Sequence, residues 1–291
     1  MVIDLFGLDE KQVRTNFPEV WQRLDLTVKR DREEQVKRSP TGDARAYAEN
    51  WWQFGKPRPL LRAALAGLTR YIVTVETSKH RIFQFLDAEI LADNMLVVIG
   101  SDDSFHLGTL QSAIHLHWTY ANCALLGVAS FEQGHRYTKS RIFDTFPFPD
   151  PAPDKRTTIA DLAEDLDVTR KLALIETDQL TMTELYNLRV KIRLGKQMSD
   201  ADQRRATKAR AAIVDRLHAQ LDQAVADAYG WGTEWAAGEL GPSEIVTRLV
   251  ALNHERAAEE VAGQIRWLRP DYQIPRFGSP HRAKPNEKLP K

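Results

Sequence analysis

The chain has 291 residues, 43% hydrophobic and 27% charged, with 40 basic side chains balanced by 40 acidic ones. That composition excludes a disordered polymer and a strongly basic coat protein, and it suits a globular chain long enough for two domains. A single cysteine, Cys123, excludes a disulfide framework. The stretch Met1–Phe6 lacks a signal-peptide pattern, and no apolar run reaches the roughly 18 residues of a membrane span. A cytoplasmic protein without a membrane partner is expected.

In chain order, Asp9–Lys37 carries apolar residues at Val13, Phe17, Val20 and Leu24, a helical spacing. It leads through the turn-rich Ser39–Gly42 into the pair Trp51-Trp52. Arg58–Leu68 predicts a short helix with Gly67 near its end. Tyr71–Thr77, Arg81–Leu86 and Met95–Gly100 are rich in β-formers and predict strands. Leu107–Leu126, dense in Ala, Leu and Trp, predicts one buried helix. The segment after it is irregular and aromatic up to Pro149, and Asp150–Arg156 predicts a stiff Pro-rich linker.

Beyond the linker the pattern turns helical: Thr157–Thr177, a helix from Thr181 with Thr181 and Glu184 as a capping box, Ser199–Tyr229, and Ser243–Leu268 stopped by Pro270. Mixed strands and helices without regular alternation indicate α+β, followed by an all-α domain. The expected organisation is a helical lead-in over 1–50, a mixed α+β domain over 51–149, which the resemblance given below makes the target-recognition domain, a linker over 150–156, a helical domain over 157–272 and a disordered tail over 273–291.

Charge is neutral overall but uneven locally. Phe54–Phe83 holds Lys56, Arg58, Arg62, Arg70, Lys79 and Arg81 against one acid, Glu76, whereas Gln84–Leu110 holds acids only. A positive face of the kind that neutralises phosphates is compatible with zero net charge. Catalytic patterns are missing. No Gly-x-Gly-x-x-Gly loop and no Asn/Asp/Ser-Pro-Pro-aromatic motif occurs, so neither a methyl donor nor a flipped base has its usual grip. Asp102-Asp103 lacks a spaced lysine for a nuclease metal site. His115 and His117, two apart, do not share a helix face for zinc, and Ser112 with His115 lacks a partner acid. No metal site is expected. Trp51, Trp52, Phe54, Phe143, Phe146 and Phe148 are expected to be structural, because aromatics this dense bury large areas.

The order Asn50–Pro59, then Arg70–Thr74, Lys79–Phe83 and Leu107–His115, then Tyr137–Pro149, resembles the target-recognition region of the MmeI-like (type IIL/IIG) restriction–modification DNA methyltransferases. The words Leu185-Tyr186-Asn187, Ala224–Trp231 and Arg266–Pro270 extend the resemblance through the helical half. It implies a module that reads a short DNA sequence for a methyltransferase preceding it in one long polypeptide. With Met1 standing where that catalytic domain would already have ended, a reading module without its own chemistry is expected.

The implied partners are double-stranded DNA and a separately encoded methyltransferase chain. S-adenosylmethionine and adenine-N6 methylation belong to that catalytic domain, with no cofactor in this chain. By the resemblance, Glu132, Gln133, His135 and Arg136 are the base readers. Lys56, Arg58, Lys79, Arg81, Tyr137, Lys139 and Arg141 have the chemistry of phosphate contacts. A truncated inactive remnant and a helical protein-interaction scaffold remain alternatives at this point.

Overall fold

A proline decides where the first helix breaks. Pro18 has no N–H to give and obstructs the preceding turn, so α1 (Glu10–Asn16) ends before it and α2 (Pro18–Leu24) starts with it. The single helix expected over Asp9–Lys37 is therefore divided, and it continues through a π-turn at Asp25–Lys29 into α3 (Arg30–Arg38). The computed structural model describes residues 2–125 and 134–278.

Thr41 caps α4 (Gly42–Glu49), its Oγ1 accepting from Ala44 N at 3.2 Å. At the other end of α4, Arg32 Nη1 donates to the carbonyls of Tyr47 and Asn50 at 2.8 and 3.1 Å. Trp51 is buried with its ring 4.5 Å from that of Trp21, and Trp52 Nε1 donates to the Leu8 carbonyl at 3.0 Å. The tryptophan pair is thus structural, sealing a compact unit of its own, Met1–Ala64. The chain then passes through α5 (Pro59–Leu65).

The second unit, Leu65–Lys291, starts with strands β1 (Arg70–Val75), β2 (Thr77–Ser78), β3 (Phe83–Asp87) and β4 (Leu96–Ile99). Antiparallel pairing gives a sheet of order β3-β1-β4, in which Ile72 of the central strand faces Phe85 on one side and Ile99 on the other. The three predicted strands are all present, shifted by one or two residues at their ends.

Next come α6 (Ser104–Gln111) and α7 (Ala113–Asn122) in place of one long helix. Ser112 separates them: its Oγ donates to the Thr109 carbonyl at 2.7 Å and accepts from His115 N at 3.3 Å, which ends one helix and caps the next. Two short strands, β5 (Ala124–Leu125) and β6 (His135–Arg136), join β2 in a second sheet of order β2-β6-β5, and α8 (Lys139–Ile142) follows.

Pro153 sits at the first position of α9 (Pro153–Glu176), where its missing N–H is no loss, so much of the expected linker is helix. The capping box at Thr181 and Glu184 opens α10 (Met182–Arg193) as the sequence indicates. The predicted helix Ser199–Tyr229 is two, α11 (Asp200–Lys208) and α12 (Ala211–Ala228), because Arg210 adopts a left-handed conformation between them at φ 53°. Then come α13 (Gly232–Ala236), α14 (Pro242–Val261) and α15 (Pro270–Phe277). The last of these occupies part of the expected disordered tail; residues 279–291 lie outside the described residues. No helix among those described is long and apolar enough to cross a membrane.

The compact units divide at Ala64/Leu65, not at residue 50 or across 150–156. The reason is a core shared by the sheet and the helices, in which Ile72, Phe85, Phe105, Ile159, Leu185 and Leu221 are all buried. Gly108 lets α6 and α9 meet: a Cβ there would stand 2.7 Å from Ile159 Cγ2 and 3.0 Å from the Ile159 carbonyl oxygen. Gly108→Ala should therefore overpack the core and destabilise by about 1–3 kcal/mol despite its better helix propensity. Urea unfolding checks it, and an unchanged midpoint would mean that the two helices can part freely.

Candidate functional site

The second sheet gathers the sequence candidates at one end. Thr77 pairs with Arg136 and Ser78 with His135, while Ala124 and Leu125 face the same two residues from the other side. The turn Lys79-His80, the end of β5 and Gly134 therefore leave the sheet together. Gly134 has φ +105°, and a Cβ on it would lie 3.3 Å from the Ser78 carbonyl carbon, so glycine is required at this stem. Between the two stem strands lie residues 126–133. Glu132 and Gln133 fall among them, outside the described residues.

Strand alternation sorts the next three candidates. His135 and Tyr137 are buried and Arg136 between them is exposed, as a period of two demands. His135 is not placed to read a base: it is 3% exposed, with its ring 4.7 Å from that of Tyr120. Tyr137 is not placed to hold a phosphate either, because it is buried and its hydroxyl donates to His115 Nε2 at 3.2 Å.

Arg81 is also corrected. It is buried where the two sheets meet, donating to Thr74 Oγ1 at 3.1 Å, to the Val75 carbonyl, and to the His135 carbonyl at 2.5 Å. Its guanidinium lies over the Tyr137 ring at 5.1 Å. Burial lowers its pKa to about 10, which still leaves it charged at neutral pH. It joins the sheets rather than meeting a ligand.

Arg136 is different. Its Nε donates to Glu76 Oε1 at 2.6 Å while half of its side chain stays exposed. The hydrogen bond to Glu76 is made by Nε. Lys79 is exposed on a turn that is held rigidly. Ser78 Oγ donates to the His80 carbonyl at 2.9 Å, and His80 Nε2 lies 2.9 Å from Asn187 Oδ1 of α10. Burial, then Lys79 and Arg189, hold His80 below the ordinary histidine range, so at neutral pH the turn's cation is Lys79.

Lys139 and Arg141 are exposed on α8, just beyond β6. Lys56 and Arg58 belong to the other compact unit. There Lys56 Nζ is 3.5 Å from Asp43 Oδ2, and Arg58 has φ 55°.

Sequence reasoning missed Glu76, Asn187 and Tyr120, the partners that orient these groups. Asn187 stands 107 residues from His80 and Glu76 stands 60 from Arg136, so no local spacing could reveal them.

Ser112 and His115 do not form a nucleophile–base pair. His115 donates from Nδ1 to the Leu110 carbonyl at 2.7 Å, and its Nε2 accepts from Tyr137, so its imidazole is turned away from Ser112 Oγ. Asp103 caps α6, its Oδ1 accepting from Phe105 N at 2.8 Å. Among the described residues no group of three or more His, Cys, Asp or Glu could hold a metal ion. The described residues of the site can supply hydrogen-bond donors and positive charge to a polyanion.

Comparison with known proteins agrees with the resemblance read from the sequence. Residues 8–150 match the family described as MmeI, target recognition domain. A solved structure of the Type IIL restriction-modification enzyme MmeI in complex with DNA superposes with a TM-score of 0.60 at 20% identity. The match covers 88% of this chain and 28% of that one, and at this identity it establishes a shared α+β fold. No curated protein matches.

Proposed function

We infer that this chain, with an MmeI-type target recognition domain over residues 8–150, is the sequence-reading module of a restriction–modification DNA methyltransferase. The observation that carries this is Arg136, exposed at the stem of 126–133 and buttressed by Glu76 at 2.6 Å. A guanidinium fixed through Nε keeps two parallel N–H donors for O6 and N7 of a guanine in the major groove. Lys79, Lys139 and Arg141 supply the phosphate contacts that hold such a reader in register. Glu132 and Gln133 remain proposed base readers. S-adenosylmethionine and methyl transfer belong, on this reading, to a catalytic domain outside these residues, contributed in the same polypeptide or by a separately encoded methyltransferase.

Reader and clamp residues have different signatures. Arg136→Ala should cost about 1–3 kcal/mol on the preferred duplex and far less on unrelated duplexes. Lys79→Ala should weaken binding to every duplex alike and reduce the slope of log K against log salt by about one. Fluorescence anisotropy on duplexes selected from a random pool, repeated at several salt concentrations, separates the two. If Arg136→Ala and Lys79→Ala lower affinity equally on every sequence, Arg136 is a phosphate clamp and the reading role falls to other residues.

A further inference from the structure

We propose that the groove between α7 and α14 carries one strand of the duplex backbone past the reading sheet, making the helical half part of the DNA surface. The proposal rests on the DNA-reading function above and extends it to α14, which lies outside both the family match over residues 8–150 and the sequence candidates.

Two adjoining clefts, of about 510 and 420 Å³, share Ala121 and so form one open groove. Along one half, His117, Tyr120, Ser243 and Thr247 line it; along the other, Asn122, Arg141, Asn253 and His254. These are the hydroxyl, amide, imidazole and guanidinium groups that bind phosphate oxygens without regard to sequence. In a chain with 40 acidic residues, no aspartate or glutamate lines either cleft among the described residues. On α14 itself, Glu244 and Glu259 are held in ion pairs, with Arg248 at 2.8 Å and Arg256 at 3.0 Å.

The groove is continuous with the reading sheet. The Tyr120 ring lies 4.7 Å from His135, immediately before Arg136, and Arg141 on α8 lines the far half. Its walls are tied together, because Asn253 Nδ2 donates to the Thr145 carbonyl at 2.6 Å. A polyanion contacting Arg141 thus meets clefts whose lining carries no acidic side chain among the described residues.

The test places a carboxylate in the groove at exposed helical positions. Thr247→Glu and His254→Glu should each weaken binding to duplexes of any sequence about five- to tenfold at low salt. Ile175→Glu, on the exposed face of α9 and lining neither cleft, should leave affinity unchanged. Thermal melting checks that all three fold. Cys123, the chain's one thiol, lines the groove, so bound duplex should slow its alkylation by a maleimide.

Equal affinities for Thr247→Glu, His254→Glu and Ile175→Glu, with Lys79→Ala still weakened, would overturn the groove and leave the DNA reading intact. An unchanged Cys123 alkylation rate in the presence of saturating duplex would do the same. No binding by the unsubstituted chain at low salt would remove both.

Discussion

Arg170→Ala is expected to destabilise the fold by about 3–5 kcal/mol, the loss typical when one partner of a buried charge network is removed. Arg170 is 1% exposed and donates to four groups on four elements. Nη1 reaches Gln111 Oε1 and the Tyr186 hydroxyl, both at 3.0 Å, and Nη2 reaches the Phe83 carbonyl at 2.8 Å and Asp167 Oδ1 at 3.3 Å. Gln111 Oε1 also accepts from Phe83 N at 2.8 Å, and Tyr186 passes the network on to His218 at 2.8 Å. Alanine would leave these acceptors buried without their donor. Asp167 would be partly rescued by Lys171, 2.7 Å away at its other oxygen. Urea unfolding gives the magnitude. A double-mutant cycle with Asp167→Asn should show a coupling of about 0.5–3 kcal/mol, because the two side chains belong to one network. A loss below about 1 kcal/mol in the single variant would mean that the network is not a stabilising unit.

Acid should unfold the protein unusually early. Burial pushes the pKa of His115 down to about 3 and that of His106 to about 4, and holds His218 well below its ordinary value. In the unfolded chain each returns to about 6.5. Below that pH the unfolded state takes up protons that the folded state refuses, so stability is present above about 6.5 and is lost as pH falls toward the folded values. Asp222 acts in the opposite sense. Its pKa is raised by burial to about 6, so between about 3.8 and 6 the folded state holds a proton that the unfolded state lacks, which offsets about one histidine.

The net difference is about two protons, or about 3 kcal/mol per pH unit between pH 6 and 4. Over these two pH units that is about 6 kcal/mol, a large share of a total stability of about 5–15 kcal/mol. Urea midpoints at pH 7, 6 and 5 test the slope. His115→Gln should flatten it by about 1.4 kcal/mol per unit. A midpoint that does not change from pH 7 to 5 would contradict the assignment of buried neutral imidazoles.

What could be read in advance followed from local chemistry. The β-branched runs around Ile72, Phe85 and Val98 announced their strands, Thr181 and Glu184 announced a helix start, and the density of Trp51 and Phe146 announced burial. The breaks at Pro18 and Ser112 had local signals that the apolar periodicity masked: a proline, and a serine able to cap. The break at Arg210 had none, since an arginine in the left-handed region is held there by tertiary structure, including its ion pair with Glu176 at 2.6 Å.

The site divided in the same way. Lys79, Arg136, Lys139 and Arg141 were recognisable as cations in a polar stretch. Arg81 looked identical to them, and its burial depends on carbonyls from two sheets. His135 and Tyr137 were assigned to a loop because a two-residue strand is too short to show its alternation.

The stem at Leu125 and His135 bears on how such a protein can change over generations. These residues face each other in one antiparallel ladder, so the chain leaves the sheet and returns to it at the same place. Lengthening a segment anchored this way costs little, only about 0.6 kcal/mol for each doubling of its length. The Arg170 network bonds Gln111, Tyr186, Phe83 and Asp167, none of which belongs to the stem. Selection can therefore rewrite the segment by insertion and deletion, as well as by substitution, while the scaffold's folding is left alone. On the reading role proposed above, new DNA preferences would arise by changes in reach as readily as by changes in side chain.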